Sequence, residues 1–222
     1  MMNEVQNVAT DRAASGVAGF DELLCGGLPR RRMYLIEGQP GVGKTTLALQ
    51  FAMRGVADGE RVLYVLMSET EREIQEIAES HGWSLDGIDM LYFSQSDILQ
   101  QDTQQTMLYP AEVELPEATR MPLHRIQDYR PQRLEIDSLS EFRLLARHER
   151  YFRRQIVALK EYLAEQGCTT LILDSRVASL QDQPVQTVAS GVVQFELVTP
   201  EFGPFRRRLQ IRKIRGLSYS SG

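Results

Sequence analysis

Residues 38–46 read Gly38-Gln39-Pro40-Gly41-Val42-Gly43-Lys44-Thr45-Thr46. Glycine and proline fill four of the first six positions, Gly38 to Gly43, and a lysine and two threonines follow. A loop stripped of side chains lets consecutive backbone N–H groups approach an anion, and glycine tolerates the positive φ that such a turn needs. The spacing is G-x-x-x-x-G-K-[ST], the phosphate-binding P-loop or Walker A pattern. In that chemistry Lys44 reaches the β- and γ-phosphate oxygens, and the Thr45 hydroxyl offers a hard oxygen to Mg²⁺. The expected cradle comprises Gly38, Gln39, Pro40, Gly41, Val42, Gly43, Lys44, Thr45 and Thr46, with ATP and Mg²⁺ as the cofactors.

Such a loop works only between a strand and a helix, whose positive N-terminal end then points at the phosphates. The flanking sequence supplies both. Met33–Gly38 is a short apolar run bounded by glycine, and a helical pattern runs from Lys44 to Val56. Further strands are expected over Arg61–Met67, Met90–Phe93, Arg133–Ser138 and Thr169–Ser175, and helices over residues 69–82 and 139–165. Strands alternating with helices predict an α/β fold, a mostly parallel central sheet with helices on both faces. The tail from Val192 to Ile214 shows no helical spacing and predicts an antiparallel extension. Residues 1–14 read as a flexible arm, residues 15–222 as one domain, and residues 94–125, with Pro110, Pro116 and Pro122, as a surface insertion holding at most a short helix.

The chain has 222 residues, 42% of them hydrophobic, and a net charge of −5, which argues against a dedicated duplex binder. Cys25 and Cys168 are far apart, and His81, His124 and His148 have no metal-ligand spacing. Two scattered thiols, a polar start and apolar runs too short to span a bilayer predict a cytoplasmic protein without a membrane segment. Arg30-Arg31-Arg32, Arg206-Arg207-Arg208 and the basic helix near residue 150 are expected in salt bridges rather than on nucleic acid.

A P-loop needs an acidic residue at the end of another strand to support the metal. Asp137 and Asp174 both end apolar strands, and spacing does not choose between them. Either could instead cap the turn after its strand.

Several segments, in order, resemble the KaiC-like group of RecA-like P-loop ATPases: "SGVAGFDELLCGGLPRRRMYLIEGQPGVGKTT", "VLYVLMSETEREIQEIAESHGWSLDGI", "RLEIDSLSE", "GCTTLILDS" and "RKIRG". They cover most of the chain outside residues 94–125. The resemblance implies a RecA-like fold, ATP hydrolysis, and Asp137 as the aspartate on the Mg²⁺ side. It implies that a glutamate after the second strand activates water. The family pattern there is a Glu-Glu pair, whereas this chain has Ser68-Glu69, so Glu69 acts alone, with helix capping as its other candidate role. The resemblance also implies that Lys213 and Arg215 of the K-x-R-G segment reach a neighbouring subunit's γ-phosphate. Residues two apart on a strand share a face, so both can do so together. That requires a homo-oligomer, a hexamer by the same resemblance, and leaves room for regulatory protein partners. One P-loop, where two-domain members carry two, reads as a single, N-terminal, domain of a longer protein.

Two alternatives accompany ATP hydrolysis. Ser218, Tyr219, Ser220 and Ser221 follow the K-x-R-G segment, where an autokinase would place its acceptors. Ser68 favours an assembly module that binds nucleotide and seldom cleaves it.

Overall fold

The computed structural model describes residues 11–93, 120–145, 149–175, 183–200 and 202–216. A seven-stranded sheet forms its centre, in the order β5-β4-β6-β7-β3-β8-β9. The strands are β3 (Met33–Gly38), β4 (Val62–Leu66), β5 (Ile88–Tyr92), β6 (Arg133–Asp137), β7 (Thr169–Asp174), β8 (Gly191–Val198) and β9 (Arg206–Ile214). β5 through β8 all run parallel, and only β9 is antiparallel, paired with β8. The antiparallel tail is therefore half as expected. β8 joins β3 in parallel because a helix, unrecognised in the sequence, returns the chain to the same end of the sheet.

A separate two-stranded ribbon pairs β1 (Arg12–Ala13) with β2 (Leu28–Pro29). Within the arm expected over residues 1–14, residues 11–14 are thus tied down, and Ala13 is fully buried. The helices are α1 (Ala18–Leu23), α2 (Lys44–Ala57), α3 (Glu71–His81), α4 (Arg120–Tyr129), α5 (Leu139–Leu145), α6 (Glu149–Glu165) and α7 (Gln183–Val188). α4 takes in the last residues of the expected insertion, and residues 94–119 lie outside the described residues. The single helix expected over 139–165 is two described helices, α5 and α6.

Alternation along the strands builds two cores, one on each face. Tyr34, Ile36, Val62, Tyr64, Leu66, Leu171 and Leu173 pack with Leu47, Ala48, Phe51 and Ala52 of α2. Met33, Leu35, Leu63, Val65, Leu134, Ile136 and Ile172 pack on the other face with Phe152, Ile156 and Val185 from α6 and α7.

β6 breaks the apolar pattern. Its α2-facing positions are Arg133, Glu135 and Asp137, all buried. The Arg133 guanidinium donates to the carbonyls of Ala14 (2.6 Å) and Phe51 (2.9 Å) and to Asp58 (3.1 Å) and Glu60 (2.9 Å). It also lies 4.4 Å from the centre of the Phe51 ring. This arrangement explains a glycine inside α2: a Cβ on Gly55 would sit 2.6 Å from Arg133 Cδ. Burial alone would raise the Glu60 carboxyl, but hydrogen bonds from Arg30 and Arg133 hold it down at about 2. Glu135 has neither carboxyl oxygen in a hydrogen bond with another group, and burial pushes its pKa well up.

Candidate functional site

The loop from Gln39 to Gly43 joins the C-terminal end of β3 to the first residue of α2, Lys44. Gly41 and Gly43 take φ of 77° and 106°, a left-handed geometry that a side chain would strain. Gly43 caps α2 without any side chain, so the first N–H groups of the helix stay open to an anion. Gln39, Pro40 and Gly41 are exposed, Val42 is buried beneath them, and Thr46, the third residue of α2, is half-buried.

Lys44 is 7% exposed and donates to the carbonyls of Gly38 (2.9 Å) and Gln39 (3.0 Å). Burial lowers its pKa, while the charges of Asp137, Asp174 and Glu69 work the other way. An ammonium folded back on its own loop within reach of three carboxylates is poised to exchange those carbonyls for a stronger anion.

The two aspartates left open by the sequence have different neighbours. Asp137 ends β6 on the α2 face and accepts a hydrogen bond from Thr45 Oγ1 at 2.8 Å. Asp174 ends β7 against α5, where Ser140 (3.1 Å) and Arg143 (2.9 Å) hold it. A hydroxyl and a carboxylate side by side at a helix N-terminus are the hard oxygen donors that suit Mg²⁺. Asp137 is 3% exposed, and burial raises its pKa while hydrogen bonds from Thr45 and Tyr64 restrain the rise. Among the described residues no three His, Cys, Asp or Glu side chains cluster so as to hold a metal ion.

Register brings the end of β4 beside Asp137. Leu66 pairs with Asp137, and the Met67 N–H donates to the Asp137 carbonyl at 2.7 Å. Ser68 and Glu69 follow at once. The Ser68 and Ser138 hydroxyls lie 3.3 Å apart, and the Asp137–Ser138 peptide is cis. The Glu69 carboxyl has one oxygen buried with no hydrogen bond. Burial first, then the charge of Asp137, pushes it up to about 7. The capping role open to Glu69 belongs to others: Thr70 is the N-cap of α3, and Glu73 closes the box through the Thr70 N–H at 2.7 Å.

Lys213 and Arg215 do not approach the chain's own P-loop. Gly38 pairs across the sheet with Phe195 and so with Leu209, whereas Lys213 pairs with Val192 and so with Leu35. Lys213 therefore sits two strands away and about 10 Å back toward the other end of the sheet. Both cations do share a face: Lys213 donates to the carbonyls of Gln186 (2.6 Å) and Thr187 (3.3 Å), and Arg215 to that of Thr187 (2.8 Å). Ser218, Tyr219, Ser220 and Ser221 lie outside the described residues.

Two residues of this region were not read from the sequence as neighbours of the loop. Tyr64, fully buried, donates its hydroxyl to Asp137 at 3.3 Å, in the middle of an apolar run that reads as core alone. Arg207 pairs with Leu197 beyond the end of β3, and a Cβ on Gly43 would lie 4.0 Å from its guanidinium. The triple-arginine run shows the charge but not which arginine turns toward the loop. Its neighbour Arg208 pairs with Glu196 at 2.9 Å, and Arg30 pairs with Glu60 at 2.8 Å.

The sequence pattern of the family described as "ATPase: KaiC" matches residues 13–222. This chain belongs to the KaiC ATPase family. Membership places it among nucleotide-binding ATPases. It is 26% identical over 222 residues to a UPF0273 protein of Methanopyrus kandleri, covering 96% of this chain and 87% of that one. It is 26% identical to the circadian clock protein KaiC3 of Synechocystis, covering 96% of this chain but 41% of the clock protein. In structure it is similar to a KaiC-like protein from Pyrococcus horikoshii, with TM-score 0.74, 27% identity and coverage of 94% and 91%. The RecA-like architecture expected from the sequence is thus the fold of the family. Among the described residues no helix is long and apolar enough to cross a membrane.

Proposed function

We propose that the chain binds ATP with Mg²⁺ at residues 38–46 and hydrolyses it in a homo-oligomer, a hexamer by family resemblance, whose neighbouring subunits complete each site. The observation that carries this reading is the convergence of Lys44, the Thr45–Asp137 pair at 2.8 Å and the Glu69 carboxyl, one oxygen of which is buried without a hydrogen bond, at one end of the sheet. The loop N–H groups and Lys44 bind the phosphates and hold the γ-phosphoryl group in line for attack. Thr45 and Asp137 would hold Mg²⁺, which when bound would neutralise phosphate charge. Tyr64 keeps the Asp137 carboxylate turned toward Thr45. Glu69, with a pKa of about 7, accepts a proton from the attacking water near neutral pH. No second carboxylate stands at Ser68 to share that work.

Lys213 and Arg215 supply positive charge to the neighbour's γ-phosphate as negative charge develops there. Their position away from the chain's own loop supports a role in trans, since no rotamer change carries them two strands across. Phosphate release by the wild type and by Lys44→Ala tests the reading. Turnover dependent on Mg²⁺ and lost in the variant is the expected result. Equal release by both proteins would overturn it.

A second reading has one observation in its favour. Ser68 is exposed and lies 3.3 Å from the Ser138 hydroxyl, where the family pattern has a carboxylate. A site with one glutamate would hold ATP longer and favour nucleotide-gated assembly. Quench-flow detection of intact ATP on the isolated oligomer separates the two readings.

A further inference from the structure

The last carbonyls of α7 collect cations. Gln186 O accepts from Lys213 at 2.6 Å, Thr187 O from Arg215 at 2.8 Å, and Val188 O from Lys160 of α6 at 2.9 Å. Among the described residues no carboxylate pairs with any of the three. Burial and then the positive charges of Arg215 and Lys160 push the Lys213 ammonium down. These cations are held by neutral carbonyls and repel one another, so a phosphate elsewhere competes for them readily.

The same helix grips the phosphate-binding loop. The Gln186 side-chain amide lies 2.8 and 3.0 Å from the two carboxyl oxygens of Glu37. Glu37 is 3% exposed at the end of β3 and directly precedes Gly38. The next two carbonyls, of Gly38 and Gln39, are the acceptors of Lys44. One residue, Gln186, therefore holds Lys213 by its backbone and the root of the P-loop by its side chain.

We propose that Gln186 is a positioning residue through which the engagement of Lys213 and Arg215 with a neighbour alters nucleotide affinity at the chain's own P-loop. The proposal rests on the trans role given to these cations under Proposed function. With both cations on α7, the helix end is fixed, Gln186 meets Glu37, and the Gly38–Gln39 carbonyls are set for Lys44. When the cations leave for a neighbour's phosphate, α7 loses two of the three cations on its last carbonyls and its grip on Glu37 loosens. The loop must then be ordered as nucleotide binds, which weakens affinity. Linkage is reciprocal, so nucleotide on one protomer holds its own cations back from the next. Adjacent sites in the oligomer are consequently anticooperative.

The test measures binding of a fluorescent, non-hydrolysable ATP analogue to the full chain, diluted until light scattering shows a monomer. In that state no neighbour's phosphate is within reach of the cations. Lys213→Ala is expected to weaken binding about fivefold or more, although Lys213 lies away from that loop. Gln186→Ala should weaken it similarly, and the double variant no further than either single one. The exchanged pair Glu37→Gln with Gln186→Glu should restore affinity by remaking the hydrogen bond with its polarity reversed. That pair also guards against a simple folding defect in the alanine variants. Unchanged monomer affinity in Lys213→Ala, or additive effects, would overturn the coupling. If Lys213→Ala then still lost turnover in the assembled protein, the trans role would survive without it. A wild type that binds no analogue would overturn both.

Discussion

Replacing Glu69 by Gln removes a carboxylate while keeping its shape. One Glu69 oxygen is buried and unpaired, and burial with the Asp137 charge holds the group at about 7. If Glu69 takes the proton from water, the loss is that of a positioned general base, about 10²- to 10⁴-fold in turnover. At 1.36 kcal/mol per tenfold step this is about 2.7 to 5.4 kcal/mol of transition-state stabilisation. Wild-type turnover should climb as pH rises through about 7, and the residual rate of the variant should lose that step. Stability gives an independent reading with a definite sign. Between the ordinary glutamate value of 4.5 and about 7, the folded state keeps a proton that the unfolded state has released. Wild-type stability therefore falls as pH rises through that window, and the Gln variant escapes this loss. Phosphate release across pH 5.5–8.5, with melting curves in the same buffers, measures both. A Glu69→Gln protein that turns over ATP within threefold of wild type with an unchanged pH profile would refute the assignment.

Other perturbations follow from the same geometry. Tyr64→Phe removes the fully buried hydroxyl 3.3 Å from Asp137; the Mg²⁺ concentration for half-maximal turnover should rise by about three- to tenfold, the net worth of an ordinary hydrogen bond, while a magnesium-independent nucleotide titration stays unchanged. Gly43→Ala places a side chain at φ 106° in the loop and should weaken ATP binding at least tenfold by calorimetry, with the fold intact by circular dichroism. Arg133→Met leaves Asp58, Glu60 and two carbonyls without their buried donor; removing one partner of such a cluster costs about 3–5 kcal/mol, read as an earlier urea midpoint. Wild-type stability should also decline below about pH 4.5, as the Glu60 carboxylate takes up a proton in the unfolded state first and in the folded state only near 2.

The strand–loop–helix of residues 33–57 was legible in the sequence because its geometry is local: glycines at fixed offsets between a strand and a helix require no knowledge of the rest of the chain. The choice between Asp137 and Asp174 is not local. Both end apolar strands, and only sheet order and strand parity decide which side chain meets Thr45 and which meets Arg143. β6 was identifiable as a strand, yet Arg133, Glu135 and Asp137 in alternation look like a solvated face, and their burial depends on partners from α2 and on Asp58 and Glu60 beyond it. The short α7 escaped notice because "QPVQTV" has no apolar period long enough to signal a helix. Without it, β8 could not be seen to join in parallel, nor could Gln186 be placed between Lys213 and Glu37.

Complementation between two inactive variants tests the shared site most directly. Lys44→Ala lacks the loop's lysine but keeps its cations, and Lys213→Ala with Arg215→Ala lacks the cations but keeps its loop. Each alone should release almost no phosphate. Mixed one to one and allowed to assemble, about a quarter of the interfaces in a cyclic oligomer should join an intact loop to intact cations and regain turnover. A mixture as inactive as its parents, in assemblies shown by light scattering to contain both chains, would contradict a site completed by the neighbouring subunit.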